Sequence, residues 1–297
     1  MNIYDCFMYF DENLLLELRF KELNKYVKKF IITESRYTHS GQKRKLLFDI
    51  NKYSEFRNKI EYIIIDDEPA NLKIINEKDD YNLKNSKYIL NGMARDNYQR
   101  NAIRKGLLNL DPNDWILISD LDEIPDLRNI NFNNIKNKFI FFRQSNYYYK
   151  FNLYLENFNW YGTKACKLKN LISPQWLRNM KDKKYPKWRI DVFFSKNKSN
   201  DIFFVKNGGW HFSYLKSPKD IEKKLKSYAH HREYELNPLG LDKINEFIKN
   251  RIAIYNLNTD MRNNKFSGGE KLEIQKNENL PIEIQKNLNY YKNWLEV

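Results

Sequence analysis

The sequence predicts an α/β fold in which a mostly parallel central sheet is flanked by helices and followed by a β-rich second half. Short apolar segments alternate with helical segments over the first 138 residues, which is typical of a parallel sheet covered on both faces. Beyond that point the apolar segments follow one another without long helices between them. Apolar residues make up 41% of the 297-residue chain and aromatic residues 15%, which is enough for a full hydrophobic core.

Four predicted strands separated by helices make up the first half of the chain. The strand candidates are residues 3–10, 30–33, 60–65 and 115–118. Asp11 can cap a helix whose leucines lie roughly on one face, and a longer helix is expected over residues 87–110. The segment at 115–118 is apolar throughout, as expected of a central parallel strand that is buried on both faces.

The second half contains five predicted strands and ends in helices. The strand candidates are residues 139–143, 147–155, 163–168, 190–195 and 202–206. Pro218 occupies the favoured first position of a helix that should reach about His230, and another helix is expected over residues 241–255. Since no Pro/Gly/Ser-rich linker divides the chain, we predict one domain over residues 1–255 and a polar, Asn-rich tail over residues 256–297.

The chain is basic, with 52 Lys and Arg residues against 38 Asp and Glu residues and a net charge of +14. Its lysines are scattered rather than clustered in a nucleic-acid-binding motif, so we expect no nucleic acid partner. A diphosphate or an anionic membrane surface would instead fit the surplus of positive charge. No apolar run approaches the ~20 residues of a membrane helix and the N-terminus lacks a signal-peptide pattern, so we expect a cytoplasmic protein.

The motif Ser-Asp-Leu-Asp-Glu-Ile-Pro at residues 119–125 follows the fourth predicted strand, where open α/β sheets bind their ligands. The carboxylates of Asp120 and Asp122 should point the same way on an extended segment and repel each other unless a divalent cation relieves the repulsion. Carboxylates suit Mg²⁺ or Mn²⁺, and such a metal keeps positions open for substrate phosphates. An exposed acidic turn is the alternative, but the buried strand before the motif favours the Asp-x-Asp site of nucleotide-sugar transferases.

Basic residues on the predicted long helix could stabilise a leaving diphosphate together with such a metal. Arg95, Arg100 and Arg104 lie on this helix, and the last two share a face because they are four residues apart. The alternative for each arginine is a solvated surface position.

Six blocks of sequence occur in a fixed order, at residues 5–23, 30–35, 38–48, 95–102, 119–125 and 209–227. With these blocks the chain resembles glycosyltransferase family 17, the bisecting N-acetylglucosaminyltransferases, and more broadly the GT-A superfamily. The resemblance implies a GT-A type fold with a nucleotide-sugar-binding half (1–138) and an acceptor-facing half (139–255). It also implies metal-dependent, inverting transfer of a sugar, N-acetylglucosamine in the family, from a UDP-sugar.

Individual roles follow from the same resemblance. Asp120 and Asp122 are the expected metal ligands, and His211 is a candidate third ligand because an imidazole suits Mn²⁺ and two glycines precede its Trp neighbour. Aromatic contacts to sugar rings are expected from Trp160 and Trp210, with a core position as the alternative for each. The residues expected to bind the nucleotide sugar are Glu34, Ser35, Arg95, Arg100, Asp120 and Lys226.

Inversion requires a general base for the acceptor hydroxyl, and the sequence leaves its identity open. Glu123 and Asp191 are equal candidates and Glu233 is a third. The acceptor is expected to be a glycan, a polysaccharide or a glycolipid. Lysine clusters at residues 181–184 and 223–226 are the best candidates for weak contact with an anionic membrane, although Lys224 and Lys226 could neutralise the diphosphate instead. 

A sugar nucleotidyltransferase is the nearest alternative enzyme, since it also uses a metal on an α/β sheet. That class would usually carry a Gly-rich phosphate loop after the first strand. This chain continues there with Asp-Glu-Asn at residues 11–13 and no glycine, which disfavours the alternative.

Overall fold

The computed structural model describes residues 1–186, 188–228, 231–255, 266 and 268–297. The strands of these residues are β1 (Ile3–Met8), β2 (Lys29–Ser35), β3 (Ile60–Ile65), β4 (Trp115–Asp120), β5 (Glu123–Pro125), β6 (Phe139–Phe142), β7 (Gln144–Tyr148), β8 (Leu153–Trp160), β9 (Lys164–Lys167), β10 (Ile202–Val205), β11 (Gly209–Ser213) and β12 (Glu273–Ile274). The helices are α1 (Asn13–Leu23), α2 (Tyr81–Asn101), α3 (Pro174–Asn179), α4 (Asp191–Phe194), α5 (Pro218–Ser227), α6 (His231–Leu236), α7 (Gly240–Lys249), α8 (Ile282–Lys286) and α9 (Leu288–Tyr291).

A seven-stranded sheet has the order β10-β6-β9-β4-β1-β2-β3, in which neighbours are parallel except at β9. Side chains of β4 alternate between two buried clusters. Trp115 and Leu117 pack on the side that includes α1, whereas Ile116 and Ile118 pack on the side that includes α3. This two-sided burial explains why the segment is apolar throughout. The prediction of a mostly parallel central sheet between helices is confirmed.

A five-stranded sheet, in the order β12-β8-β7-β11-β5, lies in the second half of the chain apart from β5. The chain crosses from the first sheet to the second between β4 and β5, through Leu121 and Asp122 alone. The acidic motif therefore lies at the junction of the two sheets. β11 pairs antiparallel with β5 and parallel with β7, so it is held beside the motif from both edges.

Several predicted elements differ from the structure, among them the helix expected over residues 241–255, which spans Gly240–Lys249. Residues 147–155 are not one strand, because Tyr149 adopts a left-handed φ of 63° and the chain turns back into β8. Residues 190–195 do not form the predicted strand, and Asp191–Phe194 form the short helix α4, with Val192 buried and the two phenylalanines exposed. The helix predicted over 87–110 begins earlier, at the Asp80 cap, and gives way to a 3-10 turn at Ala102–Leu107.

The helix that starts at Pro218 ends at Ser227, and its predicted end at His230 lies outside the described residues. In the described part of the tail, Leu280, Ile284 and Tyr291 are buried in the core that includes α1. The carboxylate of Glu22 accepts the backbone N–H groups of Ile282 and Glu283 at the start of α8, at 3.1 and 3.0 Å. Residues 268–297 thus contribute to the packing. Within the described residues, no helix has the length and apolar character needed to span a bilayer.

Candidate active site

A cleft of about 560 Å³ opens at the carboxyl ends of β1, β2 and β4. Its walls come from the segments after β1 and β2, from α2, α3 and α5, and from β7, β8 and β11. The turn between β4 and β5 forms its floor, with Asp120, Asp122 and Glu123 among the lining residues. This position matches the expectation that a doubly covered sheet binds its ligand beyond the carboxyl ends of its strands.

The backbone of this turn is held from the interior by a group that we call the inner cluster: the side chains of Asp5, Arg19 and Ser119. Arg19 donates to both carboxylate oxygens of Asp5 at 2.7 and 2.6 Å, and to Ser119 Oγ at 2.5 Å. Its Nη1 also donates to the carbonyl oxygens of residues 120, 121 and 123, each at 3.0 Å. Asp5 and Arg19 are fully buried. The inner cluster therefore fixes the turn without reaching the cleft.

A second group, the cleft cluster, consists of Asp120, Asp122, Arg100, Arg178 and Lys224. Asp120 Oδ1 accepts from Arg100 at 2.8 Å, and its Oδ2 accepts from Arg178 at 3.0 Å. Burial alone would raise the pKa of Asp120, but the charges of Arg178 and Arg100 outweigh it and hold that pKa well below its usual range. Asp120 is therefore a carboxylate at neutral pH, although its side chain remains 36% exposed.

Asp122 meets a different set of partners. Its Oδ2 accepts from Lys224 Nζ at 3.2 Å, and its Oδ1 lies 3.8 Å from His211 Nε2. Lys224 also lies 3.4 Å from Glu12, the residue just before α1. Burial would lower the pKa of Lys224, but the carboxylates of Asp122 and Glu12 raise it. Lys224 thus stays a cation between two acids.

His211 is oriented by its neighbours on the second sheet. Its Nδ1 lies 2.6 Å from Asn146 Oδ1, and because an amide oxygen only accepts, Nδ1 carries the proton. The imidazole ring stacks on Trp160, with 5.2 Å between centroids and 18° between planes. In that tautomer Nε2 carries the lone pair, and it lies 3.3 Å from Ser213 Oγ and 3.8 Å from Asp122 Oδ1.

Glu123 is fully buried at the bottom of the cleft. Its Oε1 accepts from Trp160 Nε1 and from Arg178 Nη2, each at 2.6 Å, and its Oε2 accepts the backbone N–H of Asp120 at 2.7 Å. Three donors thus satisfy this carboxylate. Since Arg178 bridges Glu123 and Asp120, it links the buried acid to the exposed one.

The donor set for a divalent metal is small. In the residues that the structure describes, no three His, Cys, Asp or Glu side chains come together as a metal site. Asp122 and His211 offer one oxygen and one nitrogen, while both oxygens of Asp120 are engaged by arginines. These residues fit a divalent metal that takes its remaining ligands from phosphate oxygens and water, and the imidazole nitrogen favours Mn²⁺ over Mg²⁺.

Three of the predicted nucleotide-binding residues contact the segment 36–48 instead of lining the cleft. Buried Glu34 accepts the backbone N–H groups of residues 47 and 48 and pairs with Arg44 at 2.9 Å. Ser35 Oγ accepts the N–H of residue 37. Arg95 donates to the carbonyl oxygen of His39 at 3.4 Å and also pairs with Glu68 at 2.5 Å. Through this segment they shape the wall that Tyr37, Thr38 and His39 form.

Strand and helix periodicity separates other predicted residues from the cleft. On β11, His211 faces the cleft, whereas Trp210 points to the opposite side, where its Nε1 donates to the carbonyl of Asn279 at 2.7 Å. On α5, Lys224 reaches the cleft, whereas Lys226 is 54% exposed and pairs with Glu222. Trp160 and Arg100 do line the cleft.

The general-base candidates lie far apart in the fold. Glu123 lines the cleft, as described above. Asp191 lies on α4, 44% exposed, with Arg189 and Lys198 each 2.7 Å from its carboxylate. Glu233 lies half-buried on α6 and does not belong to the cleft lining.

Sequence reasoning missed Arg178, Asn146 and the pairing of Glu12 with Lys224. Glu12 and Lys224 belong to blocks that carried the family resemblance, so their presence there was the available signal. Arg178 had none, because α3 lies in a segment without a motif and reaches the cleft only through the packing of that helix against β4 and β9.

Comparison with known proteins agrees with this arrangement. No curated protein matches the chain. The family described as Glycosyltransferase family 17 matches residues 1–267, which include both sheets except β12, the acidic turn and all the cleft residues named above. The chain therefore belongs to glycosyltransferase family 17.

Proposed function

We propose that this glycosyltransferase has a GT-A type fold and is metal-dependent and inverting. In this proposal it moves a sugar, N-acetylglucosamine, from a UDP-sugar to a hydroxyl of a glycan, polysaccharide or glycolipid. The observation that carries the proposal is the division of the acidic turn: Asp122 faces His211 at 3.8 Å, while Asp120 is held by two arginines. Family membership favours sugar transfer over nucleotidyl transfer and nucleic acid binding.

The leaving UDP accumulates negative charge as the bond to the sugar breaks, and cations that converge on the cleft stabilise it. Arg100, Arg178 and Lys224 reach the turn from three different helices, so their positions are fixed before the donor binds. A Mn²⁺ or Mg²⁺ ion held by Asp122 and His211 would supply a Lewis acid for the same charge. Lys224 can remain paired with Glu12 when Asp122 turns to the metal.

A general base must receive the proton of the acceptor hydroxyl, and Glu123 is the sequence-predicted candidate that lines the cleft. Three donors already occupy its two oxygens, so neither oxygen is free to contact an acceptor hydroxyl in this arrangement. We therefore favour a positioning role for Glu123, in which it fixes Trp160 and Arg178 around the donor. Trp160 then presents its ring, stacked on His211, to the sugar.

The proposal is tested by the thermal stability of the protein with UDP-N-acetylglucosamine, Mn²⁺, or both. We expect the melting temperature to rise most when both are present, since ligands that bind the folded state stabilise it. Asp122→Asn should abolish the added effect of Mn²⁺. His211→Ala should raise the Mn²⁺ concentration for half-maximal stabilisation roughly tenfold or more.

Asp126→Asn is the matched control, because Asp126 lies four residues from Asp122 and pairs with Arg128 at 2.6 Å without lining the cleft. It should leave the Mn²⁺ response unchanged. Equal stabilisation of the wild type by the UDP-sugar with Mn²⁺ and with a chelator would refute metal dependence. Stabilisation by GDP- or CMP-sugars but not UDP-sugars would refute the donor assignment.

A further inference from the structure

Four large apolar side chains stand exposed within seven residues of the second half. Trp188 is 79% exposed, Ile190 69%, Phe193 76% and Phe194 85%. Val192 between them is buried, so the short helix α4 is attached to the protein by one side and presents its aromatic residues outward. Burying such side chains from water is favourable, and an exposed group of this kind marks an interaction site.

The surrounding charge indicates the chemistry of the partner. Residues 181–198 contain seven Lys and Arg residues against two acids, a surplus of five positive charges. The side chains of Lys181, Lys183, Lys184 and Lys196 are exposed. Protein interfaces are depleted in lysine, whereas lysine-rich segments with Trp and Phe bind at the interface of anionic bilayers. This combination favours a lipid surface over a protein partner.

We propose that residues 181–198, here called the aromatic-basic segment, dock this protein on an anionic membrane surface. Trp188, Phe193 and Phe194 enter the boundary between headgroups and acyl chains, and the lysines contact the anionic headgroups. Contact of this kind is peripheral and reversible. The proposal goes beyond the sugar transfer described above and does not depend on it.

The segment is tied to the wall of the cleft. Trp176 Nε1 on α3 donates to the carbonyl of Lys196 at 2.7 Å, and the backbone N–H of Lys181 donates to the carbonyl of Asn197 at 2.8 Å. The same helix α3 carries Arg178, which contacts Asp120. Docking through the aromatic-basic segment therefore fixes the side of the cleft formed by α3 relative to the lipid surface.

Sedimentation of the full chain with vesicles tests the proposal without donor or metal. The protein should sediment with phosphatidylcholine vesicles that contain about 30% phosphatidylglycerol, and less as salt rises from about 0.05 to 0.5 M. It should not sediment with phosphatidylcholine alone. The triple variant Trp188→Ser/Phe193→Ser/Phe194→Ser should bind anionic vesicles at least tenfold more weakly.

Leu108→Ser and Ile74→Ser are the matched controls, because these side chains are 69% and 78% exposed but lie outside the aromatic-basic segment. Both should bind vesicles as the wild type does. Lys183→Glu/Lys184→Glu provides a second test if the triple variant does not fold, and it should also weaken binding. The proposal is overturned if the wild type does not sediment with anionic vesicles, if neutral vesicles bind it equally, or if the folded segment variants bind as tightly as the controls.

Discussion

Two groups of charges act on the same turn between the two sheets, one from the interior and one from the cleft. In the inner cluster, every guanidinium nitrogen of Arg19 has a partner and neither Arg19 nor Asp5 is exposed. In the cleft cluster, the side chain of Asp120 is 36% exposed and that of Lys224 24% exposed. Both clusters pair acids with cations, yet only the second can exchange a partner for a ligand.

This difference separates two roles that are adjacent in sequence. Arg19 of the inner cluster donates hydrogen bonds to backbone carbonyls of the turn, so the inner cluster stabilises the backbone conformation of the turn. The cleft cluster bonds to the side chains of that turn and leaves them accessible. A residue of the inner cluster should therefore affect stability first, and a residue of the cleft cluster should affect ligand binding and turnover first.

The largest effect is expected for Arg19→Ala. The substitution leaves the Asp5 carboxylate buried without a countercharge, and the loss of one partner of a buried ion pair commonly costs about 3–5 kcal/mol. The free energy of unfolding, measured by urea denaturation, should fall by that amount. Arg36→Ala is the control: Arg36 pairs with Asp66 at the surface, where such a pair contributes about 0–1 kcal/mol.

A loss of activity in Arg19→Ala without a loss of stability would contradict this division of roles. The same holds if Arg36→Ala destabilises the protein as much as Arg19→Ala does. Asp5→Asn keeps the shape of the side chain but leaves the buried Arg19 guanidinium without a countercharge, so it should also lower the free energy of unfolding.

Sequence reasoning succeeded where local pattern determines the structure. Residues 60–65 have the predicted strand bounds, and the apolar run before the motif is the central strand β4. Asp120 and Asp122 do lie at the carboxyl end of that strand and line the cleft. This could be predicted because the strand and the acidic turn are adjacent in sequence. The family resemblance, carried by six ordered blocks, is confirmed.

Sequence reasoning was less successful where long-range packing determines the position. The segment 190–195 is short and rich in β-branched and aromatic residues, which is compatible with a strand or with one helical turn, and the structure has helix α4 there. On β11, neighbouring side chains point to opposite faces of the sheet, and His211 faces the cleft whereas Trp210 packs in the core. The alternation alone does not tell which of the two faces the cleft. Arg178 joins Asp120 across 58 residues, which no local spacing reveals.

Arg178→Lys should further distinguish the role of the cleft cluster from that of the inner cluster. One ammonium group cannot reproduce the contacts of the guanidinium with Asp120, Glu123 and the carbonyl of Gly162. The carboxylates of Asp120 and Glu123 should therefore be held less precisely in the cleft. If the protein has the proposed function, kcat/KM for hydrolysis of the UDP-sugar with Mn²⁺ should fall about 100-fold, as a misplacement of about 1 Å can cause. The free energy of unfolding should fall less than in Arg19→Ala.

The pair of Arg128 and Asp126 does not line the cleft and supplies the control for this prediction, so Arg128→Lys should keep the wild-type kcat/KM. Full activity of Arg178→Lys would mean that a positive charge is sufficient at this position. A loss of stability as large as that of Arg19→Ala would place Arg178 with the inner cluster instead.

The smallest effect concerns Glu12 and appears only in acid. Burial would raise the pKa of Glu12, but the ammonium groups of Lys216 and Lys224, at 3.7 and 3.4 Å, outweigh it and lower the pKa from 4.5 to about 2. A carboxylate with a lowered pKa stabilises the folded state above its unfolded pKa, and this stabilisation is lost as the pH falls toward 2. Between pH 7 and pH 3 the loss through Glu12 amounts to about 2 kcal/mol.

Glu12→Gln should therefore lose about 2 kcal/mol less unfolding free energy than the wild type over the same pH range, because glutamine does not titrate. Urea denaturation at about pH 7 and pH 3 measures the difference. Glu61→Gln is the control, since Glu61 forms a surface pair with Lys29 at 3.1 Å and is 44% exposed, so its pH response should match the wild type. If Glu12→Gln and the wild type lose the same unfolding free energy between these two pH values, the ammonium groups of Lys216 and Lys224 do not lower the pKa of Glu12.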